Sequence, residues 1–220
     1  MSLLFDAAEH RYTTPEGVVV PSVTQILKAC GQSTDFEGLR ALSPWKKRDI
    51  DARRDLGSAV HADTHALDDG DLNWDTVHPE VAPFLDCWRM FRERKQLTPV
   101  ERERIQFHDG LWFCGTFDGL FTMPGFDGLV LPDLKIGDPE DAAAQFQTAG
   151  YEVAYRWQRH REGRPVDGVP IWRWSVQLTP DRTEPYKITT YDDYSDHRYW
   201  THVIVPNFYN PRRRRQYGRS

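Results

Sequence analysis

Three charged residues in the middle of the chain carry the first chemical signal. Asp118 lies in Gly115-Thr-Phe-Asp-Gly119, and glycines on both sides of an acid in a strand clear space for a close approach to the backbone. Asp133 and Lys135 stand two residues apart on the next extended run, so both side chains leave the same face of a sheet. The run around them, Gly128-Leu-Val-Leu-Pro before Asp133 and Ile136-Gly after Lys135, is apolar and reads as a central strand. Unpaired charge there is costly, so its presence points to function. An acid pair on adjacent strands can hold Mg²⁺ through oxygen ligands, and a lysine beside it can orient or help deprotonate an attacking water. That set is the minimum apparatus for phosphodiester hydrolysis.

The elements that must position these residues follow from periodicity and turn signals. Phe5 to Val20 reads as a short hairpin, with Pro and Gly in Thr-Thr-Pro-Glu-Gly suited to the turn. Pro21-Ser22 starts and caps a helix through Leu27 that ends near Gly31, and Ser43-Pro44 starts a longer one to about Leu67. Pro79 to Lys95 has Val81, Phe84, Leu85, Trp88 and Phe91 at helical spacing, which makes it scaffold. From Glu101 the period becomes that of strands: Glu101 to Phe107, Leu111 to Thr122 with Asp118 mid-strand, then Gly128 to Ile136, expected as three consecutive antiparallel strands. Asp138-Pro-Glu140 supplies cap, first-turn proline and first-turn acid for an Ala-rich helix to about Arg161. Ile171 to Leu178 alternates as a strand, Tyr186 to Tyr191 pairs with it, and a last helix runs from Asp192 or Asp193 to about Val205.

Bulk composition bounds the class. With 220 residues, 39% hydrophobic and 28% charged, the chain has the make-up of one soluble globular domain, expected over 1–210, with a basic and disordered tail over 211–220. No apolar run approaches the roughly 20 residues needed to cross a bilayer, and Met1-Ser-Leu-Leu-Phe-Asp lacks a basic-then-apolar leader, so a cytoplasmic protein is expected, neither secreted nor membrane-bound. Cys30, Cys87 and Cys114 form no CxxC pair and read as reduced structural thiols. The net charge of −5 argues against a protein that coats nucleic acid. A carboxylate-rich site with a local basic face is compatible with it. Lys46-Lys-Arg48, Arg53-Arg54, Arg156 to Arg164 and Arg212 to Arg215 are the basic clusters.

Taken in order, Pro21-Ser-Val-Thr-Gln-Ile-Leu, Gly57-Ser-Ala-Val-His61, Glu103, Gly115-Thr-Phe-Asp118, Asp133-Leu-Lys-Ile-Gly and Gln147-Thr-Ala-Gly-Tyr151 resemble the motifs of the PD-(D/E)xK nuclease superfamily. The branch they resemble is the RecB-like and phage-exonuclease one, which includes lambda exonuclease and mitochondrial genome maintenance exonuclease. The resemblance implies an α/β (α+β) fold with a restriction-endonuclease-like core, a central mixed sheet flanked by helices. It implies Asp118 and Asp133 as metal ligands for Mg²⁺ or Mn²⁺, Lys135 as the catalytic lysine, and His61 completing the metal shell from a helix. Gly57, one turn earlier, would leave an open patch beside that imidazole. His65, one turn later, is the rival to His61 and is expected in the packing or at the surface. Gln147 and Tyr151, one helical turn apart, would contact DNA near the scissile phosphate. Glu103 matches an auxiliary acid, with Glu101 on the same face as an alternative. Asp133 stands where a glutamate is commoner, which shortens the reach to metal by one methylene. Cluster-bearing relatives carry several cysteines after the Gln-Tyr helix; none follow Cys114 here, so no iron–sulfur cluster is expected.

What the resemblance implies is a metal-dependent DNA nuclease, an exonuclease of DNA recombination or repair in a bacterial or phage-infected cell. DNA would be its substrate, and a single-strand-annealing or other recombination protein its partner. Two other readings stand beside it. One is a nuclease fold that holds DNA or protein without cutting. The other is a metallohydrolase built on His61-Ala-Asp63-Thr-His65, in which Asp63 points away from the face shared by the two histidines and the ligand set is incomplete.

Overall fold

The computed structural model describes residues 3–6, 9, 11–32, 44–102, 104–136 and 142–210, with the backbone alone for 44–47, 49, 50 and 142. The proposed auxiliary acid Glu103, the Asp138-Pro-Glu140 cap and the basic tail lie outside the described residues.

The N-terminal segment forms three short antiparallel strands, β1 (Leu4–Asp6), β2 (Arg11–Thr13) and β3 (Val19–Val20), one more than the expected hairpin. Helix α1 (Val23–Ala29) begins as the sequence predicts: Ser22 Oγ accepts from the Gln25 amide at 3.1 Å while Gln25 Oε1 accepts from the Ser22 amide at 2.9 Å, a reciprocal capping box. Two long helices follow, α2 (Pro44–Asp69) and α3 (Ala82–Lys95). The strand region then differs from the expected three strands. It divides into β4 (Thr98–Arg102), β5 (Ile105–His108), β6 (Phe113–Thr116), β7 (Gly119–Met123) and β8 (Phe126–Lys135). Helix α4 (Ala142–Arg161) leads to β9 (Ile171–Leu178) and β10 (Tyr186–Tyr191). The chain closes with α5 (Ser195–Tyr199), one π-helical turn over Trp200–Ile204, and α6 (Val205–Tyr209).

The central sheet is mixed, in the order β10-β9-β8-β7-β4, with helices on both faces. Strands β8 and β9 run parallel, which requires the α4 crossover between them, and the other pairs are antiparallel. β5 and β6 pair separately and take the N-terminal strands against them through Tyr12, Val20, Phe107 and Cys114. Along β8, Leu129 and Leu131 pack with Tyr151, Ala154 and Tyr155 of α4, whereas Val130 and Leu134 pack with Val60 of α2 and Leu85, Trp88 and Phe91 of α3. Alternation therefore sends Asp133 and Lys135 toward α4. Among the described residues no helix is long and apolar enough to cross a membrane.

A buried ionic network ties α4, β9 and α5 together. Arg173, 1% exposed, donates to Asp196 Oδ2 at 2.8 Å and lies 3.5 Å from Glu152 Oε2, while its other donors reach the Gln145 and Asp193 carbonyls. His197 Nε2 and Arg156 Nε each meet the Glu152 carboxylate at 2.8 Å, and Arg156 also donates to the Val166 and Val169 carbonyls. Arg159 pairs with Glu101 and Glu162, and Arg161 with Asp109. Arg156, Arg159 and Arg161 of the basic run that begins at Arg156 are thus engaged by acids of the protein. Arg173→Met would leave Glu152 with His197 and Arg156 but would strip the buried Asp196 of the ion pair it makes with Arg173, and removing one partner of a buried pair costs about 3–5 kcal/mol. Urea denaturation should register a loss of that size; a loss below about 1 kcal/mol would show the network to be near neutral.

Candidate metal centre

Asp118 sits where the chain leaves one sheet for another. β6 pairs with β5, β7 pairs with β4 and β8, and Phe117-Asp118 is the break between them. The mid-strand position expected for Asp118 is corrected accordingly. Glycine is required on both sides for steric reasons: a Cβ at Gly115 would stand 2.6 Å from the Tyr151 ring, and one at Gly119 2.5 Å from the Phe121 ring. In this break the Asp118 carboxylate is fixed from two directions. Oδ1 meets His61 Nδ1 at 3.0 Å, and Oδ2 accepts from the Leu134 amide at 2.7 Å.

His61 and His65 stand one turn apart on α2 and face the same cleft, of about 480 Å³, which Asp118, Gly115, Thr116 and Tyr151 also line. His65 was expected in the packing or at the surface, and its arrival here corrects that expectation. The i, i+4 spacing that carried the signal was present in the sequence. Gly57 does not leave an open patch beside the imidazole: a Cβ there would make an ordinary van der Waals contact with Ile136 Cδ1, at 3.4 Å. Ser22 and Thr24, from the capped start of α1, complete the wall with Tyr12 and Phe5.

Asp133 and Lys135 form a second, adjoining cluster. Lys135 Nζ lies 2.7 Å from Asp133 Oδ2 and donates to Gln147 Oε1 at 3.1 Å. Gln147 Nε2 donates to Asp133 Oδ1 at 3.3 Å and to the Tyr151 hydroxyl at 2.9 Å. The lysine can only donate, so the amide oxygen must face it and the amide nitrogen must face the carboxylate. Glu101, the alternative auxiliary acid, is turned away to Arg104, Arg159 and Gln106.

The two carboxyls are driven in opposite directions. Burial alone would raise the Asp118 pKa, but the charge and hydrogen bond of His61 and the Leu134 amide outweigh it and hold the group well below its ordinary 3.8. At Asp133 burial prevails over the Lys135 ammonium, and the Asp118 charge adds to it, so its pKa is raised. Burial also works against protonated His61 and Lys135, yet the Asp118 carboxylate raises the first and the Asp133 carboxylate raises the second.

No family model matches the chain, and no curated protein matches it in sequence. Its structure is similar to a crystal structure from Eubacterium rectale described as a "putative exonuclease", with a TM-score of 0.51 and 14% sequence identity over 90% of this chain and 81% of that one. The two chains share a fold. Likeness at that identity reaches no further than architecture, so the chemistry rests on the side chains.

Those side chains fit a divalent metal. The ligand atoms of His61, His65 and Asp118 lie within 4.8 Å of one another, close to the separations that bonds of about 2.1 Å to one ion require. Among the described residues no such set includes Asp133. The structure therefore brings His61 and Asp118 together as expected, adds His65, and leaves Asp133 facing Lys135 and Gln147.

The His61–Asp118 contact has a pH signature. With the histidine pKa raised above 6.5 and the aspartate pKa depressed below 3.8, the pair stabilises the metal-free protein fully between those ordinary values. The contribution is lost as pH rises through the raised histidine pKa or falls through the depressed aspartate pKa. An NMR titration of the His61 ring should give a pKa above the ordinary value in the wild type and below it in Asp118→Asn, where burial acts without the counter-charge. An unchanged midpoint in the variant would show that Asp118 is not the cause.

Proposed function

We propose that the protein is a metal-dependent deoxyribonuclease that hydrolyses phosphodiester bonds, acting as an exonuclease. The observation that carries the reading is the meeting of a metal-fitting cluster, His61 and Asp118 foremost, with an adjoining, largely buried Asp133–Lys135–Gln147–Tyr151 cluster, the two joined where Tyr151 lines the cleft. The order of the motifs and the fold shared with the Eubacterium rectale protein, itself named for exonuclease activity, support the same reading.

A bound Mg²⁺ or Mn²⁺ would supply charge neutralisation at the phosphate and a water of lowered pKa. The chain's own groups divide the remaining work. Asp118, kept ionised by His61 and the Leu134 amide, presents anionic oxygen to the ion. Lys135 stays protonated because Asp133 faces it, so its role in the resting cleft is to orient water and to counter charge gathering on the phosphate. Gln147 holds the lysine and the Tyr151 hydroxyl in register, and those two groups stand where a phosphate oxygen would be received. Asp133 positions Lys135 and, with its raised pKa, can take up a proton from the attacking water.

End-labelled linear DNA and closed circular DNA, each incubated with Mg²⁺ or Mn²⁺, test the proposal together with Lys135→Ala. The linear substrate should be consumed and the circle spared. Lys135→Ala should keep its metal affinity in a calorimetric titration and lose about 10²- to 10⁴-fold in cleavage rate. Near wild-type cleavage by the variant would remove Lys135 from the mechanism, and DNA binding without cleavage by the wild type would favour a binding module.

A further inference from the structure

Three donors converge in the cleft, and two of them are imidazoles. His61 and His65 project from one face of α2, one turn apart, and Asp118 meets them from the β6–β7 break with all three ligand atoms within 4.8 Å. Asp63, between the histidines, cannot share their face; Asp118 completes the set from another element. The ring nitrogens of His65 are shielded from solvent and the residue lines the cleft with His61 and Asp118, so the ring lies inside the site and not at its margin.

We infer that His65 is a metal ligand and that the site is built for a nitrogen-accepting transition ion, Mn²⁺ or Co²⁺, with Mg²⁺ a poor occupant. This rests on the reading of the cleft as a divalent-metal centre. The physical ground is ligand preference. Mg²⁺ demands near-octahedral oxygen coordination and dehydrates reluctantly, so exchanging two of its oxygens for imidazole nitrogens is unfavourable. Mn²⁺ accepts mixed nitrogen and oxygen shells, and affinity rises from Mn²⁺ to Co²⁺ at a given site of this kind. The arrangement also explains why Asp133 need not ligate. With two histidines and one carboxylate in place the ion has its protein donors, and Asp133 is free to hold Lys135 at 2.7 Å. A set of three protein donors further leaves coordination positions open to water and a phosphate oxygen, as a catalytic centre requires.

Calorimetric titration of the full chain with Mg²⁺, Mn²⁺ and Co²⁺ reads metal binding without reference to DNA. One ion per chain is expected, bound in the order Co²⁺ tighter than Mn²⁺, and Mn²⁺ tighter than Mg²⁺ by more than about tenfold. His65→Ala should weaken Mn²⁺ and Co²⁺ by about 10- to 100-fold or more while leaving the weak Mg²⁺ binding almost unchanged. Pulsed EPR of the Mn²⁺-loaded wild type should show two coupled imidazole nitrogens, and it decides the matter even where the variant does not fold. Equal Mg²⁺ and Mn²⁺ affinities, or a single coupled nitrogen, would overturn the inference. A protein that binds Mn²⁺ through two imidazoles yet cuts no DNA would leave it standing and remove the nuclease reading instead; one that cuts DNA with Mg²⁺ and shows one nitrogen would do the reverse.

Discussion

The carboxylate of Asp118 joins three elements at the cleft. One oxygen reaches His61 on α2, the other the Leu134 amide on β8, and its backbone is the break between β6 and β7. Beside the cleft α2 meets the sheet through apolar side chains such as Leu56, Ala59 and Val60, whose packing is tolerant of small rotations, and its far end is tied to β4 by the Asp69–Arg102 ion pair. Dispersion contacts of that kind are numerous but non-directional. A hydrogen bond of 3.0 Å is directional. The Asp118 tie at the cleft therefore selects the rotation of α2 that turns His61 inward, and because a helix repeats every 3.6 residues, the same rotation turns His65 inward as well.

From that anchor the second cluster acquires its charge state. Asp133 and Asp118 are both buried and feel each other's charge, and two such carboxylates do not ionise independently. Asp118 has the stronger partners and takes the depressed pKa; Asp133 bears the burial and the repulsion, with Lys135 as its main ionic relief. Environments that push two like groups apart in this way separate their roles, one staying ionised while the other is able to exchange a proton. Gln147 makes the arrangement tolerable, since it satisfies Asp133, Lys135 and Tyr151 with one amide. A half-satisfied network at this depth would be worse than an apolar one.

How legible this was in the sequence depended on whether a signal was local. Charges two apart in an apolar strand announce their shared face, and the Asp133–Lys135 pair duly faces α4. Pro21-Ser22 announced the start and cap of α1, and the apolar stripe of α3 its burial. The break at Asp118 was hidden, because alternation continues on both sides of it and only the exchange of strand partners reveals the change of sheet. His65 was visible by spacing, but which of two histidines turns inward depends on helix rotation, which Asp118 sets from 57 residues away. The partners of the basic run of α4 were hidden for a similar reason: Glu101 engages Arg159, and Asp196 the neighbouring Arg173, from distant parts of the chain.

The buried network around Arg173 reaches the cleft through α4. Glu152, locked to Arg173, His197 and Arg156, is the residue after Tyr151 and lies one turn and a residue beyond Gln147. Fixing Glu152 against β9 and α5 fixes the rotation of α4, and the rotation that buries Glu152 is the one that aims Gln147 and Tyr151 at Asp133. The sheet register matches. Leu131 of β8 stands beside Arg173 of β9, and Asp133 beside Ser175, whose small side chain leaves the aspartate room to turn toward Lys135. Buried ion pairs are weak sources of net stability, because desolvation offsets most of the attraction. What this one contributes is direction: apolar packing holds α4 on the sheet, and the ionic contacts determine which of its faces looks into the cleft.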